Sequence, residues 1–196
     1  MSVKYPVIEV FDSIQGEGAH SGLGATFIRL AGCNLRCTWC DTTHSFNDDK
    51  AVYLTAEEIV AKYSFSQPMV IITGGEPTLH DLGPLVSMLH GLAKYISIET
   101  NGTNHVPKEW GIDWITVSPK PQSDYQIKCS ADELKYVVDQ DFKLEYVDFN
   151  KYLGRVVLQV ESCKPESVNK AYGLVMNNPQ YKLRLGVQLH KLIGVE

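Results

Sequence analysis

Eight short runs rich in Val, Ile and other apolar residues recur along the chain, and several of the stretches between them are long enough for a helix. The runs are residues 7–11, 26–30, 69–73, 95–99, 114–117, 136–138, 156–160 and 182–187. Near-continuous apolar runs of this length read as strands of a parallel sheet, because crossover helices cover its faces and leave no polar side. Helices fit the gaps. Thr55 followed by Glu58 has the form of a capping box and predicts a helix to about residue 63. A second helix is expected over 79–93, with Gly83 and Pro84 blurring its start, and Pro165 can open a third that runs to about 177. No repeat, low-complexity tract or Pro/Gly-rich linker marks a boundary. With 44% hydrophobic residues, 196 residues suffice for one sizeable core, so residues 1–196 are expected to form a single domain.

The glycines and several polar residues follow these strands. Gly32, then Gly74 and Gly75, then Gly102 each come just after an apolar run, and Ser118, Lys120, Glu161, Gln188 and His190 follow later ones. In parallel α/β architectures the carboxyl ends of the strands form one rim, so these residues converge there however far apart they lie in sequence. The charge balance helps to choose a ligand class. Lys and Arg number 18 against 23 Asp and Glu, for a net charge of −5 with no basic block, which disfavours nucleic acid and fits a small molecule. No window approaches the roughly 18 apolar residues of a membrane span, and the N-terminus lacks the apolar run of a signal peptide. A cytoplasmic protein is expected.

Three of the five cysteines fall within eight residues, as Cys33, Cys37 and Cys40 in a C-x3-C-x2-C loop directly after a strand. An odd count so clustered is a poor disulfide framework. Four thiolates close a structural iron–sulfur cluster, whereas three leave one iron open to a small molecule. A single zinc ion is the rival reading, with His44 completing a Cys3His set. Cys129 and Cys163 stand apart and read as buried or idle thiols.

With Trp39 before the last cysteine, and with Thr73-Gly74-Gly75-Glu76-Pro77 after the next strand, the chain resembles the radical S-adenosylmethionine (SAM) superfamily. Consecutive glycines permit close backbone approach to a ligand, and Glu76 could accept a protonated amine. A closer resemblance, to the 7-carboxy-7-deazaguanine synthase family, covers nearly the whole chain. It rests on Ser13-Ile14-Gln15-Gly16-Glu17-Gly18, Phe27-Ile28-Arg29-Leu30, Cys40-Asp41-Thr42, Ile98-Glu99-Thr100-Asn101-Gly102, Ser118-Pro119-Lys120 and Val187-Gln188-Leu189-His190-Lys191. The family often has Thr where Leu189 stands and Pro where Val160 follows Gln159.

The resemblance implies a shortened, incomplete (β/α) barrel with about six parallel strands. It implies a [4Fe–4S] cluster on Cys33, Cys37 and Cys40, and SAM held by Gly74, Gly75, Glu76, Thr100, Asn101, Ser118, Lys120 and Gln159. Substrate contacts fall to Gln15, Glu17, Arg29, Gly75, Gln188 and His190, and a Mg2+ ligand to Thr42. The implied reaction turns 6-carboxy-5,6,7,8-tetrahydropterin into 7-carboxy-7-deazaguanine with loss of ammonia, in queuosine or deazapurine biosynthesis. A 5′-deoxyadenosyl radical starts it, and no protein side chain serves as acid, base or nucleophile. A homodimer and a reductant protein such as a flavodoxin are implied as well. Two alternatives stay open: a radical SAM activase of a glycyl-radical enzyme, and a zinc-binding interaction module.

Overall fold

The structure, a computed structural model, describes residues 2–195. Nine strands form one sheet: β1 (Tyr5–Ile14), β2 (Gly24–Leu30), β3 (Val52–Leu54), β4 (Met69–Gly74), β5 (Tyr95–Thr100), β6 (Trp114–Val117), β7 (Glu133–Val138), β8 (Val156–Val160) and β9 (Arg184–Gly186). Their spatial order is β3-β1-β2-β4-β5-β6-β7-β8-β9. From β2 to β9 every neighbour is parallel, while β1 lies antiparallel between β2 and β3. Strands β3 and β9 do not pair with each other, so the sheet is an open, shortened barrel of the expected kind.

Among the described residues five α-helices accompany it: α1 (Ala56–Lys62), α2 (Gly83–Gly91), α3 (Phe149–Tyr152), α4 (Pro165–Asn177) and α5 (Leu189–Ile193). The capping box forms as expected, with Glu58 N–H donating to Thr55 Oγ1 at 3.2 Å and Thr55 N–H to Glu58 Oε2 at 2.8 Å. Helix α2 begins at Gly83 rather than at residue 79. Residues Pro77–Leu79 instead make a 3-10 turn, and Asp81 Oδ1 accepts the Gly83 N–H at 3.1 Å. No described helix is long and apolar enough to cross a membrane.

Alternation along the strands separates two faces. Ile28 and Leu30 of β2, Val70 and Ile72 of β4, Ile96 and Ile98 of β5, Leu134 of β7 and Leu158 of β8 are all fully buried, in one cluster with Ile59 of α1 and Leu85 and Leu89 of α2. Burying each large aliphatic side chain is worth about 1.5–3 kcal/mol, so this layer between sheet and helices is the main core. The opposite face holds only a small apolar cluster, Ala25, Met69 and Ile71 with Phe27. Further along the same strands it carries Arg29, Thr73, Glu99, Lys135 and Gln159, all of which line a cleft at the carboxyl ends. Strand β7 therefore starts three residues earlier than its apolar run, because Glu133 and Lys135 point to this polar face.

Candidate functional site

The cysteine loop leaves the end of β2 and is closed on itself by Gly32 N–H donating to Ser45 O at 2.9 Å. Two backbone bonds tie β2 and this loop to the next strand end: Gly75 N–H donates to Leu30 O at 3.0 Å, and Glu76 N–H to Gly32 O at 2.7 Å. This contact explains the paired glycines. A Cβ on Gly74 would stand 2.0 Å from Leu30 O, and one on Gly75 would stand 2.2 Å from Gly32 O, with Gly74 at φ +146°. Both glycines line the cleft, but what they approach most closely is the backbone of β2 and the cysteine loop. Asn34 ties the loop to β5, donating to Thr103 Oγ1 at 2.8 Å and accepting from Asn101 Nδ2 at 2.9 Å.

Most of the residues singled out from sequence meet in this one cleft. Cys33, Cys37, Cys40 and Thr42 line it from the loop; Gly74, Gly75, Thr100, Asn101, Ser118, Lys120 and Gln159 from the strand ends; Glu17, Arg29 and Gln188 from the open side. Gln15 and His190 line an adjoining hollow that shares Glu17, Arg29, Asp41 and Thr42 with the cleft. Glu76 lines neither. Its carboxylate is 1% exposed and is occupied as a bracket: Oε1 accepts from the N–H and hydroxyl of Thr78 and from Thr100 Oγ1, and Oε2 accepts the Asn101 N–H at 2.6 Å. Glu76 is thus positioned to hold Thr100 and Asn101 in place, and Oε2, with the single Asn101 donor, keeps acceptor capacity for an amine.

Charge in the cleft is organised around a residue the sequence reading missed. Lys135 Nζ donates to Glu17 Oε2 and, at 2.9 Å, to Glu99 Oε2. The outer oxygen of Glu17 accepts from Gln188 Nε2 at 2.8 Å, and that of Glu99 from Gln15 Nε2 at 3.0 Å. Burial works against the Lys135 ammonium, but the two carboxylates outweigh it and hold its pKa well above the ordinary lysine value. Glu17 is likewise held below its usual range by Lys135 despite burial, whereas burial prevails at Glu99 and pushes it up. The visible clue was the alternation Glu133-Leu134-Lys135-Tyr136-Val137, in which two charges recur at the spacing of one strand face.

Around this array the remaining groups are also anchored. Glu9 takes Arg29 Nε, and His44 Nε2 lies 3.6 Å from the same Glu9 oxygen. Asp41 Oδ2 accepts from Lys191 Nζ at 2.6 Å and from Gln188 Nε2 at 3.1 Å; burial would raise its pKa, yet these donors bring it down to about 2. Lys120 donates to Ser118 and lies over the Trp39 ring, and burial pushes its pKa down. Helix α5 seats its first residue on the loop after β1, with Leu189 N–H donating to Gly16 O at 2.9 Å.

The donor set fits the group that three cysteines on one loop would hold. All three thiols are free, partly exposed and open to the same cleft, and the Leu35 N–H points at Cys33 Sγ at 3.5 Å. Burial raises Cys33 and Cys37 as bare thiols, a cost that bonding to iron would remove. His44, the fourth ligand a Cys3His zinc set would need, faces Glu9. Two buried amide oxygens in the cleft, Gln159 Oε1 and Gln188 Oε1, have no partner among the described residues and are available to a ligand.

Residues 27–124 match the family model described as Radical SAM superfamily. The chain is 37% identical to a 7-carboxy-7-deazaguanine synthase of Synechocystis sp., over all of this chain and 95% of that protein. It is 39% identical to one of Bacteroides thetaiotaomicron, over 95% of this chain and 96% of the relative. Among solved structures it is similar to the crystal structure of QueE from Escherichia coli, with a TM-score of 0.75 and 29% identity over 95% of each chain.

Proposed function

This chain belongs to the 7-carboxy-7-deazaguanine synthase family of the radical SAM superfamily, and from that premise we propose how its cleft performs the family's reaction. The reaction is conversion of 6-carboxy-5,6,7,8-tetrahydropterin to 7-carboxy-7-deazaguanine with loss of ammonia, in deazapurine and queuosine biosynthesis. A [4Fe–4S] cluster with SAM supplies the one-electron chemistry that removes a hydrogen atom from the substrate. The observation that carries the assignment is that the three thiols and the substrate-side residues Glu17, Arg29 and Gln188 open on a single cleft.

Cys33, Cys37 and Cys40 would hold the cluster and leave one iron to SAM. SAM would lie against Gly74 and Gly75, with Thr100, Asn101, Ser118, Lys120 and Gln159 around its polar groups and Glu76 bracing Thr100 and Asn101 from behind. Arg29, its Nε already held by Glu9, keeps its terminal N–H groups for the substrate carboxylate. Glu17, with Gln15, Gln188 and His190 beside it, would take the N–H groups of the amino-pyrimidinone edge. Thr42, next to the Asp41 carboxylate, would supply a ligand oxygen to Mg2+. The chain's contribution is orientation, exclusion of water and charge placement.

The continuous sheet supports reading residues 1–196 as one radical SAM domain. Exposed Asn34, Arg36 and Thr38 on the cysteine loop support approach of a reductant protein such as a flavodoxin. Exposed Tyr172, Met176 and Leu185 beside the free edge of β9 support a homodimer.

Anaerobic incubation with the tetrahydropterin, SAM and a reductant, read by mass spectrometry, tests the reaction. The expected product is the deazaguanine acid, from protein carrying about four iron and four sulfide per chain. Cys37→Ala should lose the cluster while Cys129→Ala and Cys163→Ala keep it. Stoichiometric zinc without iron, or a protein substrate in place of the pterin, would overturn the proposal.

A further inference from the structure

We propose that Lys135 is a positioning residue of the substrate site, which holds the Glu17 and Glu99 carboxylates together as one substrate-facing pair. This role rests on the pterin reaction proposed above, and it adds a residue that neither the sequence motifs nor the cysteine loop contains.

The geometry is that of a bridge. Lys135 is 7% exposed, lies midway along β7, and reaches one oxygen of each carboxylate with the same ammonium. Glu17 comes from the loop after β1 and Glu99 from β5, and beside Lys135 the Gln15 amide links them, accepting the Glu17 N–H at 3.1 Å and donating to Glu99, but Lys135 alone of the two contacts both carboxylates. Their outer oxygens are oriented by Gln188 and Gln15. Two carboxylates against one ammonium leave the triad one net negative charge on a cleft wall, which suits a neutral ligand edge rich in N–H donors.

Removing the ammonium would leave two like charges buried in one cavity, and such a pair cannot stay fully ionised near neutral pH. The other charged groups facing Lys135 do not replace it. Glu133 on β7 adds negative charge, as does Asp41 from the cysteine loop, which is already paired with Lys191. Lys120 beyond β6 is held by Ser118, Arg29 on β2 by Glu9, and Arg184 on β9 acts on Glu133; His190 on α5 is pushed toward its neutral form by burial.

The test compares the wild-type holoenzyme with Lys135→Met and Lys135→Arg, measuring kcat and KM for the pterin from about pH 6 to 9. Lys135→Met should keep iron content and SAM affinity, lose about 100-fold in kcat/KM at pH 7, and move the acid limb of the kcat/KM profile to higher pH. Lys135→Arg should recover most of the loss and restore the limb. A Lys135→Met enzyme with the wild-type limb and KM overturns the proposal. If Lys135→Met fails to take up the cluster, Lys135→Met combined with Glu99→Gln removes one of the two unpaired charges. The proposal requires that double variant to regain iron while its acid limb stays at higher pH, because burial still raises Glu17 without the ammonium, and a double variant as empty as the single one refutes it. Wild-type holoenzyme that does not turn over the pterin would sink the reaction, and this role with it. Wild-type turnover alongside an unaffected Lys135→Met sinks the role alone.

Discussion

Gly18 rests its backbone on the carboxyl of Glu133: a Cβ at position 18 would stand 2.2 Å from Glu133 Oε1, and the residue sits at φ +67°. The loop that carries Gln15 and Glu17 is therefore seated on β7, the strand that also presents Lys135. Sequence pattern, close packing and site geometry meet at this one contact.

Gly18→Ala should displace that loop. The left-handed backbone costs an alanine about 1 kcal/mol, and the methyl group additionally forces the Glu133 carboxyl to move. Because Glu17 lies one residue away, kcat/KM for the pterin should fall by about 10- to 100-fold, the scale of a misplacement near 1 Å, with SAM affinity unchanged. Adding Glu133→Ala should recover part of the loss by removing the clash, leaving the backbone term. A Gly18→Ala enzyme with full activity would show that the loop is not seated in this way.

Glu133 itself predicts a pH dependence of stability. Burial, with the Glu99 charge adding and Lys135 opposing, pushes its pKa from 4.5 to about 7. The folded state then binds a proton more tightly than the unfolded chain between those values, so stability falls as pH rises from about 4.5 to 7 and is level above. Glu133→Gln should stabilise the holoenzyme at pH 8 by on the order of 1–2 kcal/mol, less than the whole shift would give because the buried glutamine amide must itself find partners. At pH 5 most of that difference should be gone. Equal melting temperatures at both pH values would contradict the burial of this charge.

Much of this arrangement was legible in the sequence because apolar runs report the helix-covered face of a parallel sheet. The runs at 114–117 and 156–160 coincide with β6 and β8, and 165–177 with α4. What escaped lay on the other face. Lys135 and Glu133 interrupt the apolar run of β7, so the strand read as starting at 136, and the residue that organises the cleft's charge went unread. Strand β3 and helices α3 and α5 are three to five residues long, too short for periodicity to register. At Glu76 a motif names a carboxylate but not where its oxygens go, and the bonds to Thr78, Thr100 and Asn101 went unread.

That bracket can be tested at Glu76. Glu76→Gln keeps one acceptor oxygen for Thr78 and Thr100 but turns an NH2 group toward the Asn101 N–H, so a buried donor loses its partner. The expected cost is about 2–4 kcal/mol of stability, from hydrogen bonds to a charged group lost in the interior. SAM affinity should fall with it, since Thr100 and Asn101 line the cleft. Unchanged thermal stability would mean that Glu76 is not a structural bracket. Lost SAM affinity at full stability would return it to direct ligand contact.

Thr42 sits where the cysteine loop turns toward the substrate side, its hydroxyl donating to Asp41 Oδ1 at 3.1 Å and its carbonyl accepting from Ser45. The carbonyl bonds secure the turn, so the hydroxyl can be removed without unfolding it. Asp41 keeps Gln188 and Lys191 as partners, which leaves its charge satisfied when the threonine donor is lost. Thr42→Val preserves the shape and deletes the one oxygen proposed for Mg2+. Iron content and SAM affinity should remain at wild-type levels, because Cys40 and the strand ends are untouched. The Mg2+ concentration needed for half-maximal activity should rise, and product formation should fall by about 10- to 100-fold, the scale of lost metal-positioning contacts. Thr42→Ser, which restores the oxygen, should recover both. If Thr42→Val shows the wild-type Mg2+ dependence, the hydroxyl serves only its bond to Asp41 and the metal, if used, is held elsewhere in the cleft.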